Sequence, residues 1–60
     1  MVPVAATILV VEDDPGLRAL AEEVLGSAGY SVLAAADGTN ALQAAEQYRG
    51  SIDLLLTAIV

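Results

Sequence analysis

The sequence predicts an α/β domain in which three parallel strands alternate with two helices. Its short apolar runs at 7–11, 30–35 and 52–57 have the length and composition of strands, and the first and last are expected to be covered on both faces. Two stretches with helical spacing of apolar residues separate these runs. Helical connections of this length are what parallel strands require, so the expected order is βαβαβ.

The first helix is expected to begin at Pro15, with Asp14 as its N-cap, because proline suits the first helical position and a carboxylate accepts hydrogen bonds from the free amides there. Gly26 or Gly29 should end it. Its inner face is expected to carry the apolar residues Leu17, Leu20, Ala21, Val24 and Leu25.

The second helix should follow the turn signalled by Asp37 and Gly38 and run from about Thr39 to Tyr48. The residues expected on its inner face are Ala41, Leu42, Ala45 and Tyr48. Right-handed crossovers that place strand two on one side of strand one and strand three on the other give the order 2-1-3. The chain then reverses direction between strands one and three, which is where open α/β sheets bind ligands.

Composition limits the partners of this chain. Its 60 residues make one small domain, and eight acids against two arginines, with no lysine or histidine, give a formal charge of −6. That charge argues against nucleic acid and anionic membranes, and favours a divalent cation or a basic protein surface. Cysteine is absent, which excludes a thiolate metal site, and no signal peptide or bilayer-spanning run is recognisable. A soluble, cytoplasmic protein is expected.

Three acids follow the first strand, at the edge where a ligand is expected. Clustered carboxylates repel one another, so a site that they share is usually held by a hard cation such as Mg²⁺. The alternative is that Glu12, Asp13 and Asp14 are solvated turn residues. For Asp14 alone the capping role is preferred, whereas for Glu12 and Asp13 together the metal site is preferred.

The ordered set of motifs resembles the receiver domain of bacterial response regulators in two-component signalling, over nearly the whole chain. The resemblance implies a flavodoxin-like, doubly wound fold. Its motifs are Ile8-Leu-Val-Val-Glu-Asp-Asp-Pro15, Leu17-Arg18, Ala28-Gly29-Tyr30, Ala36-Asp37-Gly38 with Ala41-Leu42, and Ile52-Asp-Leu-Leu-Leu-Thr57.

In receivers of this type the acidic pair after strand one binds magnesium, and an aspartate at the end of strand three accepts a phosphoryl group from a histidine kinase or phosphotransfer protein. By position, Glu12 and Asp13 match the acidic pair and the backbone carbonyl of Val60 completes the protein ligands. Ala58 stands at the acceptor position. A methyl group cannot attack phosphorus, so neither phosphorylation nor catalysis is expected, and residual Mg²⁺ affinity should be weak.

Neighbouring residues do not replace the missing acceptor. Asp53 precedes position 58 by five residues, roughly 16 Å along a strand, and is expected to be an exposed acid at the opposite edge of the sheet. Thr57 should point to the other face and has no nearby base. Receivers also continue through two more strands and three helices that supply a hydroxyl residue and a lysine. Residues 1–60 are therefore expected to be a partial receiver with the first three strands and two helices.

The sequence leaves two other functions to consider. A non-catalytic interaction or self-assembling module would use the exposed edge of strand three, because unpaired edges invite pairing with another chain. An enzyme of another α/β class is disfavoured, because the five glycines lack the spacings that cradle phosphates and no nucleophile-elbow motif is present.

Overall fold

The structure of the chain is a computed structural model that describes residues 6–57. Strands and helices alternate as predicted, and both strand pairs are parallel in the order β2-β1-β3, which confirms the expected topology. None of the described helices is both long and apolar enough to cross a membrane. The elements are β1 (Thr7–Val11), α1 (Pro15–Ser27), β2 (Ser31–Ala35), α2 (Gly38–Gln47) and β3 (Leu54–Thr57).

Helix α1 begins where the sequence predicted. The Asp14 carboxylate accepts hydrogen bonds from the backbone amides of Gly16, at 2.8 Å, and Leu17, at 3.2 Å, while Pro15 takes the first helical position. The helix ends at Ser27, and Gly29 follows with a φ of 99°. Because L side chains rarely adopt this left-handed conformation, Gly29 rather than Gly26 is the terminating glycine.

Helix α2 is capped by the same chemistry. The Asp37 carboxylate accepts from the backbone amide of Asn40 at 2.8 Å, and the helix lies one residue earlier than predicted at each end. Ala41 is buried and Ala45 is half-buried, as expected for its inner face. The prediction for Leu42 was wrong, since this side chain is 62% exposed. Leu42 borders an open apolar hollow toward β3 and does not reach the packed layer over β1 and β2.

The core of the described chain is centred on β1. This strand pairs with both other strands, and α1 and α2 both pack against it, so most of its side chains are buried. The buried apolar residues are Ile8, Leu9, Val10, Ala35 and Ala41.

Strand β3 was expected to be buried, and in the described chain it is not. Leu54, Leu55 and Leu56 keep 54%, 57% and 45% of their surface exposed. The reason is lateral placement, because α1 and α2 both pack on β1 and β2 and neither packs on β3. The same offset leaves three residues of the predicted inner stripe of α1 more than half exposed: Leu17, Leu20 and Val24.

Candidate functional site

The carboxyl ends of all three strands meet at one edge of the sheet. Val11, the last residue of β1, lies in register with Ala35 of β2 on one side and with Thr57 of β3 on the other. The backbone amide of Glu12 donates to the Ala35 carbonyl at 3.0 Å, which extends the pairing one residue into the acidic loop. The expectation that the tips of strands one and three are neighbours is therefore confirmed as far as Thr57.

The acidic loop, residues 12–14, is held in place by its own hydrogen bonds. One carboxylate oxygen of Glu12, Oε1, accepts from the backbone amide of Asp14 at 3.0 Å. The guanidinium of Arg18 donates from Nη1 to the Glu12 carbonyl at 2.8 Å. Glu12 and Arg18 are half-buried, whereas Asp13 and Asp14 are exposed. The Asp14 side chain caps α1, as the sequence predicted, so two acids remain for other interactions.

The oxygen donors at this edge are of the type that a hard cation binds, but there are few of them. Mg²⁺ takes one or two carboxylates and keeps several waters, which Glu12 and Asp13 could satisfy. Within residues 6–57 no group of three or more His, Cys, Asp or Glu side chains is arranged to hold a metal ion. Ala58 and Val60, the other predicted site positions, lie outside the described residues. Among the described residues, Glu12 and Asp13 are therefore the side chains of this edge that could contact a magnesium ion.

Open apolar hollows flank the edge strand on both faces of the sheet. One of about 210 Å³ lies between α1 and β3 and is bordered by Glu12, Leu17 and Leu56. Another of about 370 Å³ lies between α2 and β3 and is bordered by Leu42 and Leu55. Thr57 borders both hollows, so the end of β3 is accessible from either side.

A polar cluster at the opposite edge of the sheet was missed by sequence reasoning. Asp53 is exposed, as predicted, but its carboxylate Oδ2 also accepts from the Thr7 amide at 2.7 Å. The hydroxyls of Thr7 and Tyr48 are 2.8 Å apart. The interpretation of Tyr48 as a packing residue omitted this hydrogen bond. No local sequence pattern predicts these contacts, because the Thr7–Asp53 pair is separated by 46 positions in the sequence and the Thr7–Tyr48 pair by 41.

The sequence profile of the response regulator receiver domain family matches residues 8–60. The chain belongs to this family. The acidic loop and the strand order 2-1-3 described above are thus features of a receiver, a signalling module of two-component systems.

Two relatives illustrate the contexts in which similar receivers occur. The chain is 38% identical over 56 residues to the Sensor kinase CckA of Brucella abortus (strain 2308), and this alignment covers 93% of the chain and 6% of that protein. It is 48% identical over 56 residues to the Uncharacterized transcriptional regulatory protein YrkP of Bacillus subtilis (strain 168), covering 93% of the chain and 23% of that protein. The chain therefore spans less than a quarter of either relative. No solved structure matches it.

Proposed function

We propose that this receiver takes part in two-component signalling without accepting a phosphoryl group, because Ala58 occupies the acceptor position. The single observation that carries the proposal is the register of β1 and β3, in which Thr57 lies beside Val11 and the acidic loop follows Val11 directly. The residue after Thr57 is then the one expected to face Glu12 and Asp13. The alanine side chain offers neither a nucleophilic oxygen nor a metal ligand there, so in this proposal the receiver has no catalytic role.

The acidic pair is retained in this proposal as a weak magnesium site. Glu12 and Asp13 supply carboxylates, and the backbone carbonyl of Val60 supplies the third protein ligand. Support comes from the position of the pair at the carboxyl edge of the sheet and from the Arg18 hydrogen bond that holds the loop. A bound Mg²⁺ would offset the repulsion between the two carboxylates. Because no oxygen is present to accept a phosphoryl group, the metal would only stabilise the conformation of the acidic loop.

The proposed partners are a histidine kinase or a phosphotransfer protein of a cytoplasmic two-component pathway. Membership of the receiver family supports them, and one relative is named as a sensor kinase. The formal charge of −6 favours a basic protein surface over nucleic acid or an anionic membrane. A receiver that docks without accepting phosphate would occupy its partner without relaying the signal.

Phosphoryl uptake tests the proposal directly. The chain is incubated with acetyl phosphate and MgCl₂, and its intact mass is followed over time beside a receiver that has an acceptor aspartate. The control should gain the mass of one phosphoryl group while this chain stays unchanged. A stoichiometric, hydroxylamine-sensitive phosphoryl adduct on this chain would be an aspartyl or glutamyl phosphate on another residue and would show that the assignment of Ala58 is wrong.

A second candidate function is self-association through β3, favoured by a specific observation. This strand is at the edge of the sheet, and its three leucines are roughly half exposed. Edge strands with unpaired backbone groups and apolar side chains pair with further strands, and a second copy of the chain presents the same strand. The module would then act by assembling protomers.

A further inference from the structure

The starts of β1 and β3 are joined by a two-point contact made by one residue. Asp53, directly before β3, donates its backbone amide to the Thr7 carbonyl at 2.8 Å. Its carboxylate Oδ2 accepts from the Thr7 amide at 2.7 Å. Thr7 is only 4% exposed, so its amide requires an acceptor within the protein. The Asp53 side chain supplies that acceptor.

A second group of contacts locks Thr7 to the end of α2. The Thr7 and Tyr48 hydroxyls are 2.8 Å apart, and Tyr48 is the residue that caps the carboxyl end of α2. The Tyr48 ring lies over Gly50, where an added Cβ would come within 2.9 Å of the ring. These contacts fix the position of the segment between α2 and β3 next to the start of β1, immediately before Asp53 in the chain.

The leucine run that follows cannot specify its own alignment against β1. Side chains of a strand alternate between faces with a period of two, so a shift of two residues keeps every side chain on its original face. Leu54, Leu55 and Leu56 are chemically identical, and each is at least 45% exposed, so packing discriminates little between the two alignments. A polar anchor at one end can decide between them.

We propose that Asp53 is a positioning residue that fixes the register of β3 against β1. Thr57 then lies beside Val11, next to the acidic loop. A shift of two residues would place Thr57 beside Leu9 instead and would move the following residue by about 7 Å relative to that loop. The register claim stands by itself, and only its consequence for position 58 rests on the proposed function.

The register is measured by NMR on the full chain, from cross-strand proton contacts between β1 and β3 and from hydrogen exchange of the Thr7 amide. In Asp53→Ala the Thr7 amide should exchange about tenfold faster or more, since it loses a charged acceptor. A second set of contacts, joining Thr57 to Leu9, should appear. Asp53→Asn retains an acceptor oxygen and should restore the original register and slow exchange. Glu23→Ala, which removes an exposed acid from α1, is the matched control and should change neither.

Moving the acid provides an independent test. In the double variant Asp53→Leu/Leu55→Asp the relocated carboxylate should accept a hydrogen bond from the Thr7 amide. Strand β3 should then shift by two residues relative to β1, so that Thr57 lies beside Leu9. The connection from α2 becomes two residues longer, which costs little. The proposal is overturned if this variant folds in the original register, or if Asp53→Ala folds with the β1–β3 register unchanged, even when the Thr7 amide exchanges faster.

Failure to fold is also informative. If Asp53→Ala unfolds and Asp53→Asn folds in the original register, the acceptor oxygen is required and the proposal is supported. If Asp53→Asn unfolds as well while Glu23→Ala folds, an acceptor oxygen at this position is insufficient and the proposal fails. None of these readouts depends on magnesium or phosphoryl transfer, so they are separate from the test of the proposed function.

Discussion

Arg18 donates a hydrogen bond of 2.8 Å from its guanidinium Nη1 to the backbone carbonyl of Glu12, six residues earlier. The contact ties the first turn of α1 to the loop that carries the acids. It also brings one of the two cationic side chains of the protein to the loop that contains three consecutive acidic residues. The acidic loop is therefore oriented by the helix that follows it.

Removing this guanidinium should loosen the loop and destabilise the fold. Arg18→Met keeps much of the aliphatic stem but loses the donor, and a lost hydrogen bond at a half-buried site costs about 1 kcal/mol of unfolding free energy. Urea unfolding followed by circular dichroism measures the change. Arg49→Met, which removes the exposed cation after α2, is the control and should change stability by much less. Equal losses in the two variants would mean that net charge, and not this contact, explains the effect.

Gly50 is expected to stabilise the fold because its missing side chain leaves space for the Tyr48 ring. A Cβ at position 50 would lie 2.9 Å from the ring and hydroxyl atoms of Tyr48, so the end of this side chain must shift, and we expect the shift to break the hydrogen bond with Thr7. Because Thr7 is buried, Gly50→Ala should cost about 1 to 2 kcal/mol of unfolding free energy.

A double-mutant cycle with Tyr48→Phe separates this cause from a general backbone effect of Gly50→Ala. If the clash acts through the hydroxyl contact, Gly50→Ala should cost less in the Tyr48→Phe background than in the original chain. Additive losses, measured by the same urea unfolding, would contradict the explanation.

Local and long-range features differed in how well the sequence predicted them. Asp14 and Asp37 were recognisable as helix starts because capping depends on residues two or three positions away. The lengths of the helical connections predicted parallel strands, and the order 2-1-3 followed from right-handed crossovers that place strands two and three on opposite sides of strand one. The contact between Thr7 and Asp53 was not predictable in this way, since it appears only after two crossovers bring the strand starts together.

The exposure of β3 illustrates a second limit of the sequence. An apolar run predicts a strand, but burial depends on which elements pack over it, and both helices lie over β1 and β2. For the same reason Leu42, correctly spaced for the inner face of α2, is exposed. At the site, the acidic loop was predicted from the residues, whereas the roles of Ala58 and Val60 were implied by the family resemblance and stay predictions.

Magnesium binding at the acidic loop is expected to be weak and local. In a titration with MgCl₂, amide shifts should change at residues 12–14 and remain unsaturated below about 1 mM, because two carboxylates give few ligands. Glu12→Gln and Asp13→Asn should each reduce these shifts. Glu12→Gln keeps the oxygen that accepts from the Asp14 amide, so the loop conformation is preserved.

An exposed acid on α1 provides the control for the magnesium titration. Glu22→Gln lowers the negative charge by the same amount as either site variant, yet it lies outside the acidic loop. It should leave the shifts at residues 12–14 unchanged. If all three variants reduce the shifts equally, the cation is attracted by the overall charge and the pair is not a site.

Self-association through β3 should depend on the apolar character of that strand. Sedimentation across a concentration series is expected to show reversible association, and Leu55→Lys should suppress it, because a charge on an edge strand opposes pairing with another strand. Leu20→Lys places the same charge on α1, at a leucine of similar exposure, 54% against 57%, and should leave association intact. A chain that stays monomeric at the highest concentration rules out the second candidate function. If Leu20→Lys alone abolishes association, the interface lies on α1 instead.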